Sequence, residues 1–222
     1  MATVEIKGDI IPNDYKWIYD WLEWESTCPN DIKTVIASLK PGEQLIVLIN
    51  SGGGSVTAGQ EMYSLLREVD SVAKIQGIAA SAAGVVAMGC QKVYMSPVAA
   101  IMIHNVSVSG ISGDYHEMDK ASRMLKTLDE CMSQAFAEKS GMSVEAVLKI
   151  MDKETWMTAR MAMEHQFIDG ILETEQPSFT NAMFGLRLTE EIKQKVIAEK
   201  ARMDREKNEI EELLNDLGMY GV

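Results

Sequence analysis

The segment that most constrains this chain is Gln44-Leu45-Ile46-Val47-Leu48-Ile49-Asn50. Its interior is apolar throughout, the pattern of a strand buried on both faces in a parallel sheet. It runs straight into Ser51-Gly52-Gly53-Gly54, and a helix follows from about Ser55 to Val69. The flanking sequence repeats this alternation. Val4 to Ile6 reads as a short first strand, Asn13 to Leu22 as a helix, and Pro29 to Leu39 as a second helix with Asn30 as its cap. Further strands are expected from Ser71 to Ile75, Lys92 to Met95, Ala99 to His104 and Phe167 to Leu172. Helices are expected from about Ser81 to Cys90, from Asp114 to Lys139, and from a Ser143 cap to Ile150. Strands alternating with helices specify an α/β fold.

Composition breaks at Gln176-Pro177-Ser178, which divides the chain into an expected domain over 1–176 and an extension over 177–222. The extension reads as a highly charged helix, capped by Thr189 with Glu190 and Glu191 in its first turn. Val196, Met203, Ile210 and Leu217 recur every seven residues, but the complementary heptad positions are mostly charged. The pattern gives a solvated helix with a thin apolar seam rather than a full coiled coil.

A net charge of −12 argues against a nucleic-acid binder, which would carry a basic stripe. No window reaches about 18 consecutive apolar residues, so no membrane span is expected. The three cysteines, Cys28, Cys90 and Cys131, have no metal-type spacing. They suit a reducing cytosol better than a disulfide framework, and a cytoplasmic protein without metal or organic cofactor is expected.

Three features carry chemistry. Ser81 lies among small residues, from Gly77 to Gly84, between a strand and a helix. A serine at such a turn lets a substrate carbonyl approach its hydroxyl and the flanking amides, as in nucleophile elbows. A buried helix whose serine bonds the backbone would show the same residues. Gly54 and Gly59 have phosphate-loop spacing, but Gln60 and Glu61 stand where lysine and a hydroxyl residue are required. The loop is better read as one that exposes backbone amides to an oxyanion. His104, at a strand end, is the candidate base. His116 opens a charged helix and His165 sits in a polar turn. Asp152 and Glu154 are both candidates to orient the imidazole, and spacing does not choose between them.

In this order, the residues resemble the caseinolytic protease (ClpP) family, and more closely its phage-encoded head-maturation relatives. Leu48 to Gly59 is similar to the family's glycine loop, Gly77 to Ala83 to its nucleophile segment, and Met102-Ile103-His104 to its histidine strand. Trp156 to Ala159 and Ile168 to Ile171 are similar to its last motif block. The resemblance runs from about Val4 to Leu172. It implies the ClpP/crotonase-type fold of repeated strand–strand–helix units, with Ser81 as nucleophile and His104 as general base. Gly54 and Ala82 would supply oxyanion-hole amides. An extended peptide would lie beside the segment containing Val106, Val108 and Gly110. Glu154 occupies the position of the family's catalytic aspartate, with Asp152 as rival, and Gly52 replaces the family's proline.

The resemblance further implies a peptidase acting on polypeptides, assembled as a homo-oligomeric ring or double ring through the helix after Gly113. The sequence begins near its first strand, without the segment that forms axial-pore loops in the housekeeping enzyme, so an AAA+ unfoldase partner is not expected. Phage-type substrates would be capsid scaffold or the chain's own tail, which places the protein in a host cytoplasm. Three other classes use related features. A crotonase-like acyl-CoA enzyme needs no serine–histidine pair, a signal-peptide-peptidase relative would need a lysine such as Lys92, and a ring component would need no catalysis.

Overall fold

The computed structural model describes residues 1–172, 193–205 and 207. They fall in two compact units, Met1–Gly185 and Leu186–Val222. The expected boundary at 176/177 lies outside the described residues, as do the Thr189 cap, Ile210 and Leu217. In the second unit residues 193–205 are helical, with an Arg202–Glu199 ion pair at 2.5 Å along the surface.

Among the described residues, the first unit is an α/β domain with an eight-stranded sheet. β1 (Ala2–Ile10), β3 (Leu45–Gly54) and β4 (Ser71–Ala80) form its parallel centre, and β2 (Ser26–Thr27) extends it beyond β1. After a short α1 (Lys16–Trp21), α2 (Pro29–Ser38), α3 (Val56–Arg67) and α4 (Ala82–Met88) pack in sequence on this sheet, α3 between the other two. Leu45, Val47 and Ile49 are fully buried, whereas Ile46 and Leu48 are half-buried. β3 is thus covered completely on one face only, short of the two-sided burial its sequence suggests.

β4 divides the sheet. Its first half, Val72 to Ile75, pairs with β5 (Lys92–Met95), and its second half, Ile78 to Ala80, pairs with β6 (Ala100–Ile103). The division falls at Gly77, where a Cβ would stand 2.5 Å from Asn50 Oδ1. Asn50 occupies that space and accepts the Ile78 amide at 3.2 Å. β6 then pairs antiparallel with β7 (Thr155–Thr158), whereas β5 pairs parallel with β8 (Gly170–Ile171). Because β6 runs beside the end of β4, residues that follow Ala80 and Met102 emerge side by side.

Several local expectations are corrected. The strand beginning near Gln44 continues through the glycines to Gly54, paired with β1. Cys28, not Asn30, caps α2, because Asp31 reaches back to accept the Cys28 amide at 2.8 Å. Asn30 lies inside the first turn and gives its amide to Asn13 Oδ1. The last strand is shorter than Phe167 to Leu172. There Asp169 exchanges bonds with Val93 before the ladder begins, its amide donating to the carbonyl and its carboxylate accepting the Val93 amide, both at 2.7 Å. The long helix, α5 (Tyr115–Ser140), starts at an Asp114 cap, and Ser143 caps α6 (Val144–Met151). α7 (Ala159–Glu164) follows β7.

Candidate active site

Ser81 sits at the β4–α4 junction with φ 54° and ψ −125°, a conformation seldom adopted by a residue with a side chain. Its amide donates to the Met102 carbonyl at 2.8 Å, joining the turn to β6. The side chain makes no cap bond to α4 and points elsewhere. His104, two residues beyond Met102, places Nε2 2.8 Å from Ser81 Oγ. The structure therefore brings together the serine and histidine that the sequence singled out. His116 and His165 are elsewhere, His116 against Tyr115 and His165 stacked on Phe167.

The glycine loop lies against this turn. A Cβ on Gly53, whose φ is +94°, would meet the Ala80 carbonyl oxygen at 2.6 Å and Ser81 Cβ at 2.8 Å. Gly54, with φ +146°, leaves no room for one beside the Ile10 carbonyl, 2.3 Å away. Both positions are glycine because the backbone passes too close for anything larger. Ser51 holds the loop, donating Oγ to the Gly8 carbonyl at 2.6 Å and accepting the Gly53 amide at 3.1 Å. Gly54 lines the same cavity as Ser81 and His104. Ala82 opens α4, and the amide of a helix's first residue has no intrahelical acceptor. Small side chains let α4 approach its neighbours, with Gly59 against Ala82 and Gly84 against Phe136.

The cavity beside Ser81 has a volume of about 70 Å³. Val56, Val85, Met132, Phe136 and Met151 give it an apolar wall, and Val106 and Ser107 close one side. Val108 and Gly110 lie instead along a wider groove of about 530 Å³ against α5. Residues 104–112 have no regular structure, so the segment expected to flank a peptide has no strand partner among the described residues.

The two acidic candidates differ in placement. β6–β7 pairing sets Ile103 opposite Thr155 and Met102 opposite Trp156. Extending that antiparallel register by one residue puts Glu154 opposite His104. Glu154 has φ 47°, a left-handed turn at the strand's start, and its carboxylate is exposed. Asp152 Oδ1 accepts Asn105 Nδ2 at 2.8 Å. Lys92 binds Asp169 at 3.1 Å, which commits it to a structural ion pair away from Ser81. Asn50, Asn105 and Asp129 were not singled out from the sequence. Their roles depend on the β4 division and on contacts between distant segments, which leave no local pattern.

A parallel α/β sheet that delivers a serine elbow to a histidine has the architecture of a serine hydrolase. A family model, Clp protease, matches residues 25–175. The chain is 33% identical over 137 residues to the ATP-dependent Clp protease proteolytic subunit 1 of Chlamydia muridarum, covering 60% of this chain and 71% of that one. It is 33% identical over 135 residues to proteolytic subunit 2 of Tropheryma whipplei, covering 59% and 74%. The proteolytic subunit of Porphyromonas gingivalis is 34% identical over 140 residues, covering 61% and 63%. The chain belongs to the Clp protease family. Its enzyme class is that of the ClpP-type serine peptidases. Among the described residues, no helix is long and apolar enough to cross a membrane.

Proposed function

We propose that this chain is a serine endopeptidase whose nucleophile is Ser81. The observation that carries this reading is the 2.8 Å Ser81 Oγ–His104 Nε2 contact at a turn of unusual backbone geometry. His104 takes the hydroxyl proton as Ser81 attacks the scissile carbonyl, then returns it to the leaving amine. A water activated by the same imidazole releases the acyl-enzyme. The Gly54 and Ala82 amides stabilise the tetrahedral oxyanion, and one such donor lowers a barrier by roughly 3–4 kcal/mol. Glu154, opposite His104 in the extended β-register, orients the imidazole when its carboxylate turns inward.

The wall of Val56, Val85, Met132, Phe136 and Met151 suits an apolar side chain on the acyl side of the cleaved bond. A peptide lies extended beside the segment from Val106 to Gly110. The subunits assemble as a homo-oligomeric ring through α5. Short peptides reach the site without an unfoldase, although the relatives are named as parts of ATP-dependent proteases. The resemblance to phage head-maturation enzymes, with work in a host cytoplasm, directs the search for a natural substrate to capsid scaffold and the segment after Pro177.

A panel of fluorogenic peptides tests this. Cleavage after an apolar residue, abolished in Ser81→Ala, is expected. A purified, assembled wild-type protein that cleaves none of them, and for which Ser81→Ala changes nothing, would contradict it.

A further inference from the structure

The chain leaving His104 is held at two consecutive residues by carboxylates from different parts of the fold. Asn105 Nδ2 donates to Asp152 in the α6–β7 turn at 2.8 Å. The Val106 amide donates to Asp129 Oδ1 on α5 at 2.6 Å. β6 has ended at Ile103, so no ladder holds this amide. A short bond to a charged acceptor is among the stronger hydrogen bonds a backbone amide can make. Asp129 stands three residues before Met132, which lines the Ser81 cavity, so one face of α5 supplies both the cavity wall and the tether. Asp129 itself does not line that cavity, whereas Val106 and Ser107 do.

We propose that Asp129 is a positioning residue that fixes the peptide-binding segment at Val106 and sets its register. This rests on the peptidase reading above. In an extended segment successive residues turn their backbone groups to opposite sides. With the Val106 amide directed at α5, pairing with a peptide as an extended strand would turn those of Ser107 and Ser109 the other way, toward it. An anchored segment does not have to be ordered when substrate arrives, and that saving appears as affinity. Asp129 has no part in proton transfer between Ser81 and His104, so it affects peptide capture and leaves serine reactivity alone.

The test compares wild type, Asp129→Ala, Asp129→Asn and Asp129→Leu by steady-state hydrolysis of a fluorogenic peptide and by the labelling rate with a small fluorophosphonate. Asparagine keeps an oxygen acceptor; alanine and leucine do not. For Asp129→Ala and Asp129→Leu, KM is expected to rise about tenfold, with kcat and labelling within about twofold of wild type. Asp129→Asn is expected to restore KM to within about threefold of wild type. An unchanged KM in the alanine variant, a parallel fall in kcat and labelling, or an asparagine variant as impaired as alanine would each overturn the assignment. Unfolding of both acceptor-free variants would make Asp129 structural and overturn it as well. A wild type that neither cleaves nor labels is a different result, since it removes the peptidase reading itself.

Discussion

Ser81 holds a backbone conformation that costs on the order of 1–3 kcal/mol wherever it occurs. The surrounding contacts keep it there: the bond to the Met102 carbonyl, the first turn of α4, and Gly53 pressed against its Cβ. Gly53→Ala puts a methyl into that contact at a positive φ. The expected result is an approximately 10²-fold or greater loss of peptide hydrolysis, measured on folded protein, because displacements of about 1 Å at a reacting group have that effect. The acidic partner can be assigned by substitution. Glu154→Gln is expected to lower kcat by about 10²-fold or more, and Asp152→Asn by less than about tenfold. The reverse order would move the role to Asp152. Thiol reactivity gives an independent check on the packing. Burial pushes the Cys90 thiol up to about 12 and also raises Cys28, whereas Cys131 is exposed on α5. Native protein at neutral pH is expected to alkylate rapidly at Cys131 and to react at Cys90 only on unfolding, as peptide mass spectrometry would show.

Among the elements, the junction of β5, β8 and the end of α5 depends on one carboxylate. Asp169 accepts from Lys139, from Lys92 at 3.1 Å and from the Val93 amide at 2.7 Å. Partial burial works to raise its pKa, but these donors together outweigh burial and hold it below the ordinary 3.8. A depressed folded-state pKa contributes stability that is present above the unfolded value and lost as pH falls through the folded one. Asp169→Asn is therefore expected to cost about 1–3 kcal/mol at neutral pH. That gap should begin to shrink below about pH 3.8 and close as pH falls through the still lower native value, where the folded carboxyl becomes neutral, in denaturant titrations at several pH values. A gap that persisted unchanged in acid would argue against the ion-pair account.

This junction also shows why sequence periodicity reached some elements and missed others. β3 and α5 are long and patterned, so they were readable. β7 is four residues with only Met157 buried, and it exists because β6 offers an edge. β8 lies within the strand expected from Phe167 to Leu172 but is cut to two residues where Asp169 docks the chain, a limit that hydropathy does not encode.

Over the whole first unit, the order of glycine loop, serine elbow and histidine strand was legible because each has a steric or chemical reason to look as it does. Their convergence was not, since it arises from β4 pairing with different strands on either side of Gly77. The first half of α5 is left exposed, with Tyr115, Met118 and Met124 at 70%, 41% and 47%. In the ring proposed above through α5, these exposed apolar side chains are expected to lie in a subunit contact. Native mass spectrometry is expected to show a ring for wild type and smaller species for Tyr115→Glu with Met124→Glu; identical masses would contradict assembly through this helix. The central claim concerns Ser81, and its most direct measurement is covalent. Wild-type protein treated with a fluorophosphonate and analysed by peptide mass spectrometry is expected to carry the adduct on Ser81. Labelling should be lost in Ser81→Ala and slowed at least about 10³-fold in His104→Ala. An adduct on another residue, or labelling that persists in Ser81→Ala, would contradict the account.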